Sequence, residues 1–145
     1  MISIRQVMTP RSDLVTLPPT AGISEASKLM TERRIRHIPI LDEEDSLVGI
    51  VSDRDLLAAR GSKASVACDV EAGLRVSDIM TAPVKYVDPR LGVRNAALSL
   101  RSLGIGCLAV MRDGILEGLV TDSDFVGVAI NLLEQIENSD PSSQI

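Results

Sequence analysis

The chain has 145 residues, of which 45% are hydrophobic and 24% are charged, and its formal net charge is −5. This length and apolar content suffice to bury one core, or two small cores that share an interface, so a globular chain is expected. The acidic balance, without any run of Lys or Arg, argues against a nucleic-acid partner. Apolar stretches such as residues 105–111 are far shorter than the roughly 20 residues that span a bilayer, so no membrane partner is expected.

Residue usage also limits the chemistry that the chain can carry. His37 is the sole histidine, and the two cysteines, Cys68 and Cys107, are far apart, which argues against a zinc site or a disulfide framework. No nucleophile with a neighbouring base is visible, so the chain is not expected to be an enzyme. The first residues lack the charged and apolar regions of a secretory signal, so the expected location is the cytoplasm.

The first half of the chain predicts five elements in order. Residues 13–17 indicate a short strand, and residues 23–33 place apolar side chains at helical spacing. Residues 37–41 and 47–51 are β-branched runs on either side of an acidic turn, which predicts a hairpin. A helix is expected to begin at Ser52.

The second half repeats this plan at an offset of about 70 residues. Residues 47–56 and 116–125 are almost the same sequence, and the second closing helix is predicted to run from Thr121 to about Glu137. The stretch between the two copies is small and polar and has no counterpart, which is typical of a linker. The predicted division is therefore a first repeat, a linker, a second repeat and a frayed tail, at residues 1–60, 61–75, 76–137 and 138–145.

Each repeat is too small to be stable alone. A three-stranded sheet with two helices on one face leaves its other face bare, so the two copies must pack together. The predicted fold is mixed α/β (α+β), with two pseudo-symmetric units packed sheet to sheet into one disc and a cleft between them. Apolar surface left on such a disc favours a homodimer.

Three motifs resemble those of the tandem cystathionine-β-synthase (CBS) domain pair, or Bateman module. They are MTP at residues 8–10 with MTAP at 80–83, RHIPI at 36–40, and GIVSDRD at 49–55 with GLVTDSD at 118–124. The similar region covers residues 7–133, so the chain resembles a stand-alone pair. The resemblance implies a regulatory module that requires no cofactor, binds AMP, ADP, ATP or S-adenosylmethionine between its repeats, and signals to a partner protein.

A hydroxyl and a carboxylate follow the motif glycine in both copies, as Ser52 with Asp55 and Thr121 with Asp124. A carboxylate at such a strand-to-helix turn can accept both ribose hydroxyls, and the helix start adds donors for an anion. The same spacing also forms a capping box that satisfies helix amides. A purely structural role therefore stays open for both pairs.

Basic residues accompany only the first pair. Arg54 would oppose the helix dipole unless a phosphate or its neighbouring aspartates compensate. The resemblance places phosphate-contacting and adenine-contacting positions at Arg36 and His37, although His37 also suits a half-buried structural side chain. Their counterparts, Gly106 and Cys107, carry no positive charge. We therefore predict one phosphate-competent site and one that is weak, empty or differently selective, unless Arg94, Arg101 or Lys85 reaches in.

Adenine needs an apolar slot with backbone donors and acceptors, and most apolar residues near the cleft are expected to be core. The candidates for this slot are Ile35, Ile38, Pro39 and Ile105, with Val15, Tyr86 and Leu108. An alternative function keeps the fold and the dimer as an interaction scaffold that binds no nucleotide.

Overall fold

The computed structural model describes residues 2–61 and 73–139. In its first half, 3₁₀ turns at Ile4–Gln6 and Arg11–Asp13 flank strand β1 (Thr9–Pro10), followed by α1 (Ile23–Arg33), β2 (His37–Leu41), β3 (Leu47–Ser52) and α2 (Asp53–Gly61). The second half contains α3 (Val76–Ile79), β4 (Tyr86–Val87), α4 (Val93–Leu103), β5 (Cys107–Arg112), β6 (Ile115–Thr121) and α5 (Asp122–Ser139). Most of the predicted linker and the tail beyond Ser139 lie outside the described residues.

The helices and hairpins that the sequence predicted are present in both repeats. In α1 the apolar positions Ile23, Ala26 and Met30 are all buried, as their helical spacing requires. The β2–β3 and β5–β6 pairs are antiparallel, and both have a register shift at the same place, after Ile40 and after Val110. The mixed α/β fold with two pseudo-symmetric units is therefore confirmed. Helix α5 continues through Ser139, beyond its predicted end at about Glu137, and the predicted division of the chain stays a prediction.

The strand predicted at residues 13–17 is wrong. A 3₁₀ turn includes Asp13, and only Leu17 makes a bridge, parallel to Ile40 in β2. Pro18 and Pro19 follow Leu17, and because proline has no amide hydrogen the ladder cannot continue. The counterpart in the second repeat is β4, which pairs with β5 over two residues.

The short segment at the start of each repeat, residues 4–10 in the first and 76–84 in the second, joins the sheet of the other repeat. We call these the exchanged segments. Strand β1 pairs with β6, so the second sheet has the order β1-β6-β5-β4. In the same way Thr81 makes a bridge with Ile50 in β3, through N to O distances of 2.8 and 3.1 Å. The three-stranded, self-contained sheets predicted from the sequence are thus incomplete. The exchanged segment satisfies the backbone groups that a hairpin edge would leave unpaired.

The cores follow this exchange. Val76, from the second half, is fully buried in the core of the first repeat, and Ile4 is fully buried in the core of the second. A third apolar cluster joins the two sheets through Ile50 on one side and Ala109 and Leu119 on the other. This cluster confirms the predicted sheet-to-sheet packing.

Two glycines make the exchange sterically possible. A Cβ built on Gly118 would overlap the carbonyl oxygen of Thr9 and the side chain of Met8. A Cβ on Gly49 would overlap the side chain of Met80 at the equivalent position. The motif glycine of each repeat therefore leaves room for the methionine of the exchanged segment.

We expect Gly118→Ala to lower the free energy of unfolding by about 1–3 kcal/mol, because the added methyl group meets backbone that cannot rotate away. Gly49→Ala should cost less, since a methionine side chain can change rotamer. Gly127→Ala is the control: no atom outside its helix lies within 4 Å of the new Cβ, and alanine should stabilise α5 by up to about 1 kcal/mol. Urea unfolding measures all three. Equal stability of the Gly118→Ala and Gly127→Ala variants would contradict this account.

Candidate functional site

A cavity of about 470 Å³ lies between the two repeats. Its volume is within the range of small-molecule sites, which is roughly 300–1,000 Å³. Its lining comes from the start of α2, the exchanged segment of the second repeat and the loop before β5: Ser52, Asp53, Arg54, Asp55, Thr81, Pro83, Val84, Lys85, Gly104, Ile105, Gly106 and Cys107, together with Arg36, His37, Ile50 and Asp122. We call this cavity the Asp55 cleft.

Ser52 and Asp55 form a complete capping box at the start of α2. The Ser52 amide donates to Asp55 Oδ2 at 2.8 Å, and the Asp55 amide donates to Ser52 Oγ at 3.1 Å. The Thr81 hydroxyl also donates to the carboxylate, at 3.3 Å from Oδ1 and 3.4 Å from Oδ2. A carboxylate offers about four acceptor positions, so Asp55 keeps capacity for a ligand hydroxyl. The capping role is thus present without excluding a binding role.

Thr121 and Asp124 repeat this arrangement only in part. The Thr121 amide and hydroxyl both lie close to Asp124 Oδ2, at 2.8 and 3.4 Å. Neither residue lines the Asp55 cleft. By the pseudo-symmetry of the repeats, the counterpart of the Asp55 cleft would lie at residues 34–37 and 121–124, and we call this region the Asp124 cleft.

Three cations line the Asp55 cleft, and within the described residues one of them is in an ion pair and two of them are not. Arg36 Nη2 donates to Asp122 Oδ1 at 3.2 Å and to Ser123 Oγ at 2.9 Å, so its charge is already paired. Arg54 and Lys85 have no carboxylate within ion-pair distance in the part of the chain that the structure describes. Arg54 and Lys85 are therefore available to an anion. Of the three basic residues that the sequence offered as additional sources of charge, Lys85 is the one that lines this cleft.

His37 and Cys107 lie at equivalent positions, opposite Ser52 and Thr121 in their hairpins. Burial lowers the pKa of His37 below 6.5, although Asp53 opposes the shift. Burial, aided by the field of Asp124, raises the pKa of Cys107 to about 12, so this residue remains a thiol at neutral pH. The described residues include no cluster of three or more side chains suited to a metal ion.

The apolar candidates divide into two groups. Ile105 lines the Asp55 cleft, whereas Ile38 and Pro39 are fully buried and Ile35 packs against the first core. Ile38 and Pro39 do not line this cavity, because β2 is covered by packing on both faces, and their predicted ligand contacts stay predictions. Of the secondary candidates, Leu108 is core and Tyr86 is exposed outside the cleft.

Several residues of the cleft were not predicted. Thr81, Pro83 and Val84 come from the exchanged segment, and Gly104 from the end of α4. The sequence signal for the exchanged segment was the MTAP motif at residues 80–83, which marks the segment without showing which repeat it joins.

Comparison with known proteins identifies the family. Residues 4–62 and 76–131 each match the family described as CBS domain. The chain belongs to the CBS domain family. Its two CBS domains form a CBS-pair fold, similar to a Vibrio cholerae protein described as a candidate acetoin utilization protein (AcuB), with a TM-score of 0.79, 40% identity and 97% and 99% of the two chains covered.

A second similar structure carries a ligand. CBSX2, crystallised in complex with AMP, has a TM-score of 0.78 and 29% identity to this CBS pair, covering 91% of this chain and 98% of the other. Among curated sequences, the CBS pair is 28% identical to chloroplastic CBSX2 of Arabidopsis thaliana over 94% of its own length and 67% of that protein. It spans only 21% of a homoserine O-acetyltransferase from Methanobrevibacter ruminantium, at 31% identity. The chain thus spans about two thirds or less of these curated relatives.

None of the described helices is long and apolar enough to cross a membrane. The predicted cytoplasmic location, and the prediction that the chain is not an enzyme, stay predictions.

His37 should make stability depend on pH in a definite direction. Because its pKa is lower in the folded chain than the ordinary value of about 6.5, unfolding takes up a proton in mildly acidic solution. The stabilisation is complete above about pH 6.5 and is lost as the pH falls through the folded-state pKa. We expect His37→Gln to flatten this decline between about pH 7 and 5. Urea unfolding at a series of pH values measures the free energy of unfolding. The same pH dependence between about pH 7 and 5 in His37→Gln and in the unmodified chain would contradict the assignment to His37.

Proposed function

We propose that this CBS pair is a regulatory module that binds an adenine nucleotide or S-adenosylmethionine in the Asp55 cleft and signals ligand occupancy to a partner protein. The observation that carries the proposal is the cleft itself, in which the Asp55 carboxylate and Arg54 of one repeat lie opposite Lys85 and backbone of the other. The AMP complex of CBSX2 supports the ligand class.

Each part of AMP has a matching group in the cleft. The ribose hydroxyls would donate to Asp55, and the phosphate would meet Arg54, Lys85 and the start of α2, where helix amides and dipole favour an anion. The adenine would lie against Ile105, with backbone groups of residues 104–107 as hydrogen-bond partners. This arrangement requires no cofactor and explains why a net acidic chain can hold an anion.

Signalling follows from the position of the cleft. The ligand would contact both repeats, so it can change the angle between them only if it binds two arrangements unequally. The partner protein would read that angle. A CBS scaffold without nucleotide binding has the same fold but should not respond to any adenosine compound, and thermal-shift measurements with AMP, ADP, ATP and S-adenosylmethionine separate the two functions.

We expect Asp55→Glu to weaken AMP binding about 10- to 150-fold, the equivalent of one charge-assisted hydrogen bond of about 1.5–3 kcal/mol. Glutamate preserves the capping box but moves the carboxylate away from the ribose. Isothermal titration calorimetry measures the affinity, and urea unfolding checks that the helix start is intact.

Asp124→Glu is the matched control, because Asp124 holds the equivalent place in the second repeat but does not line the Asp55 cleft. AMP should bind this variant as it binds the unmodified chain. Unchanged affinity in the Asp55→Glu variant would reject the ribose assignment.

We also propose that the partner includes a second copy of the chain. Leu57 in α2 and Val126 in α5 hold equivalent positions, and they are 71% and 59% exposed. Ile130, Leu133 and Ile136 extend the exposed apolar face along α5. Because both repeats present apolar side chains at equivalent places, a two-fold partner can cover both at once.

Leu133→Lys should raise the dimer dissociation constant at least tenfold, because each leucine buried at a two-fold interface contributes about 1.5–3 kcal/mol. Asn131→Lys adds the same charge to the polar face of α5 and should leave the dimer intact. Sedimentation velocity across a concentration series gives both constants. A chain that stays monomeric at about 100 μM would contradict this interface.

A further inference from the structure

The two clefts of this CBS pair differ most where one repeat has glycine and the other arginine. The hairpin registers, in which His37 faces Ser52 and Cys107 faces Thr121, establish which positions correspond. Arg36 is thus the counterpart of Gly106. Arg34 and Gly104 correspond as the left-handed residues that end α1 and α4, with φ of 54° and 64°.

In the Asp55 cleft the two glycines leave space. Gly104 and Gly106 both line the cavity, and no side chain of theirs projects into it. A Cβ built on Gly106 would already lie 3.4 Å from Asp122 Oδ2 and 3.7 Å from His37 Nε2. A longer side chain at this position would therefore lie against two groups that line the same cavity and would take up part of its space.

In the Asp124 cleft the corresponding side chain spans the gap. The Arg36 guanidinium crosses from the first repeat to Asp122 and Ser123 in the first turn of α5. These two residues correspond to Asp53 and Arg54, which border open space in the Asp55 cleft. Arg36 thus reaches the start of α5, which is the counterpart of the α2 start where our proposal places the phosphate in the Asp55 cleft. Arg36 and Asp122 also line the Asp55 cleft, so their ion pair is a wall shared by both clefts.

We infer that each chain binds one adenosine ligand, in the Asp55 cleft opened by Gly106, and that the Arg36 side chain occupies the phosphate position of the Asp124 cleft. This inference rests on the proposed function. It keeps the phosphate-competent site that the sequence predicted at Ser52 and Asp55, but it reverses the role of Arg36, which was expected to contact the phosphate. The arginine acts there as an internal occupant that excludes a second ligand.

The test substitutes Arg36 and Gly106 separately and measures how many ligands each chain binds. Calorimetric titration with AMP, whose phosphate would compete with the Arg36 side chain, should give one site in the unmodified chain and two in Arg36→Gly. Arg36→Lys keeps a cation that can pair with Asp122 and should give one site. Conversely, Gly106→Arg should lower AMP affinity in the Asp55 cleft about tenfold or more.

Arg36 and Asp122 are both more than half exposed, so losing their ion pair should lower the stability of the fold only slightly. Arg36→Ala provides a second open variant. Circular dichroism confirms that each variant is folded. Two sites in the unmodified chain, or one site in both open variants, would overturn the inference and leave the proposed function intact. No binding of any adenosine compound to the unmodified chain would reject the proposed function, and this inference with it.

Discussion

The exchange of two short segments between the repeats is the constraint on which the rest of the structure depends. Each segment completes the other repeat's sheet, and Ile4 and Val76 complete the other repeat's core. Gly49 and Gly118 permit the close approach. Because backbone from the other repeat pairs with each sheet, as a strand in one sheet and as a single bridge in the other, neither repeat is a complete unit. The Asp55 cleft likewise needs both repeats, because the Asp55 carboxylate and the Thr81 hydroxyl that contacts it belong to different repeats.

Local sequence patterns predicted the local structure well. Helix α1 and both hairpins are encoded by apolar spacing and by β-branched runs, whose partners lie only a few residues away. The exchange was not predictable in the same way. Thr81 pairs with Ile50 of the first repeat, and Thr9 pairs with Leu119 of the second. Both threonines lie in the same motif and both partners lie in the same strand of their repeat. The sequence pattern is therefore compatible with pairing within a repeat as well as between repeats. Only packing in three dimensions distinguishes them.

The candidate site shows the same division. The sequence identified Ser52, Asp55 and Arg54, because a hydroxyl and a carboxylate at fixed spacing after a glycine are a local signal. Thr81 was missed, because it approaches from the other repeat. Arg36 was recognised as a cation, but its partner lies 86 positions away in the sequence, and no spacing rule predicts where a long side chain will reach.

The contact between Thr81 and Asp55 links binding to the relation between the repeats. The capping box fixes the start of α2 without a ligand, so binding energy is not needed to order that turn. In our proposal, a ribose hydroxyl that donates to Asp55 would share this carboxylate with the Thr81 hydroxyl, which reaches it from the other repeat at 3.3 to 3.4 Å. The ligand would thus bind at a contact between the repeats. Its differential affinity for two arrangements of the repeats, which any sensor requires, would arise at that carboxylate.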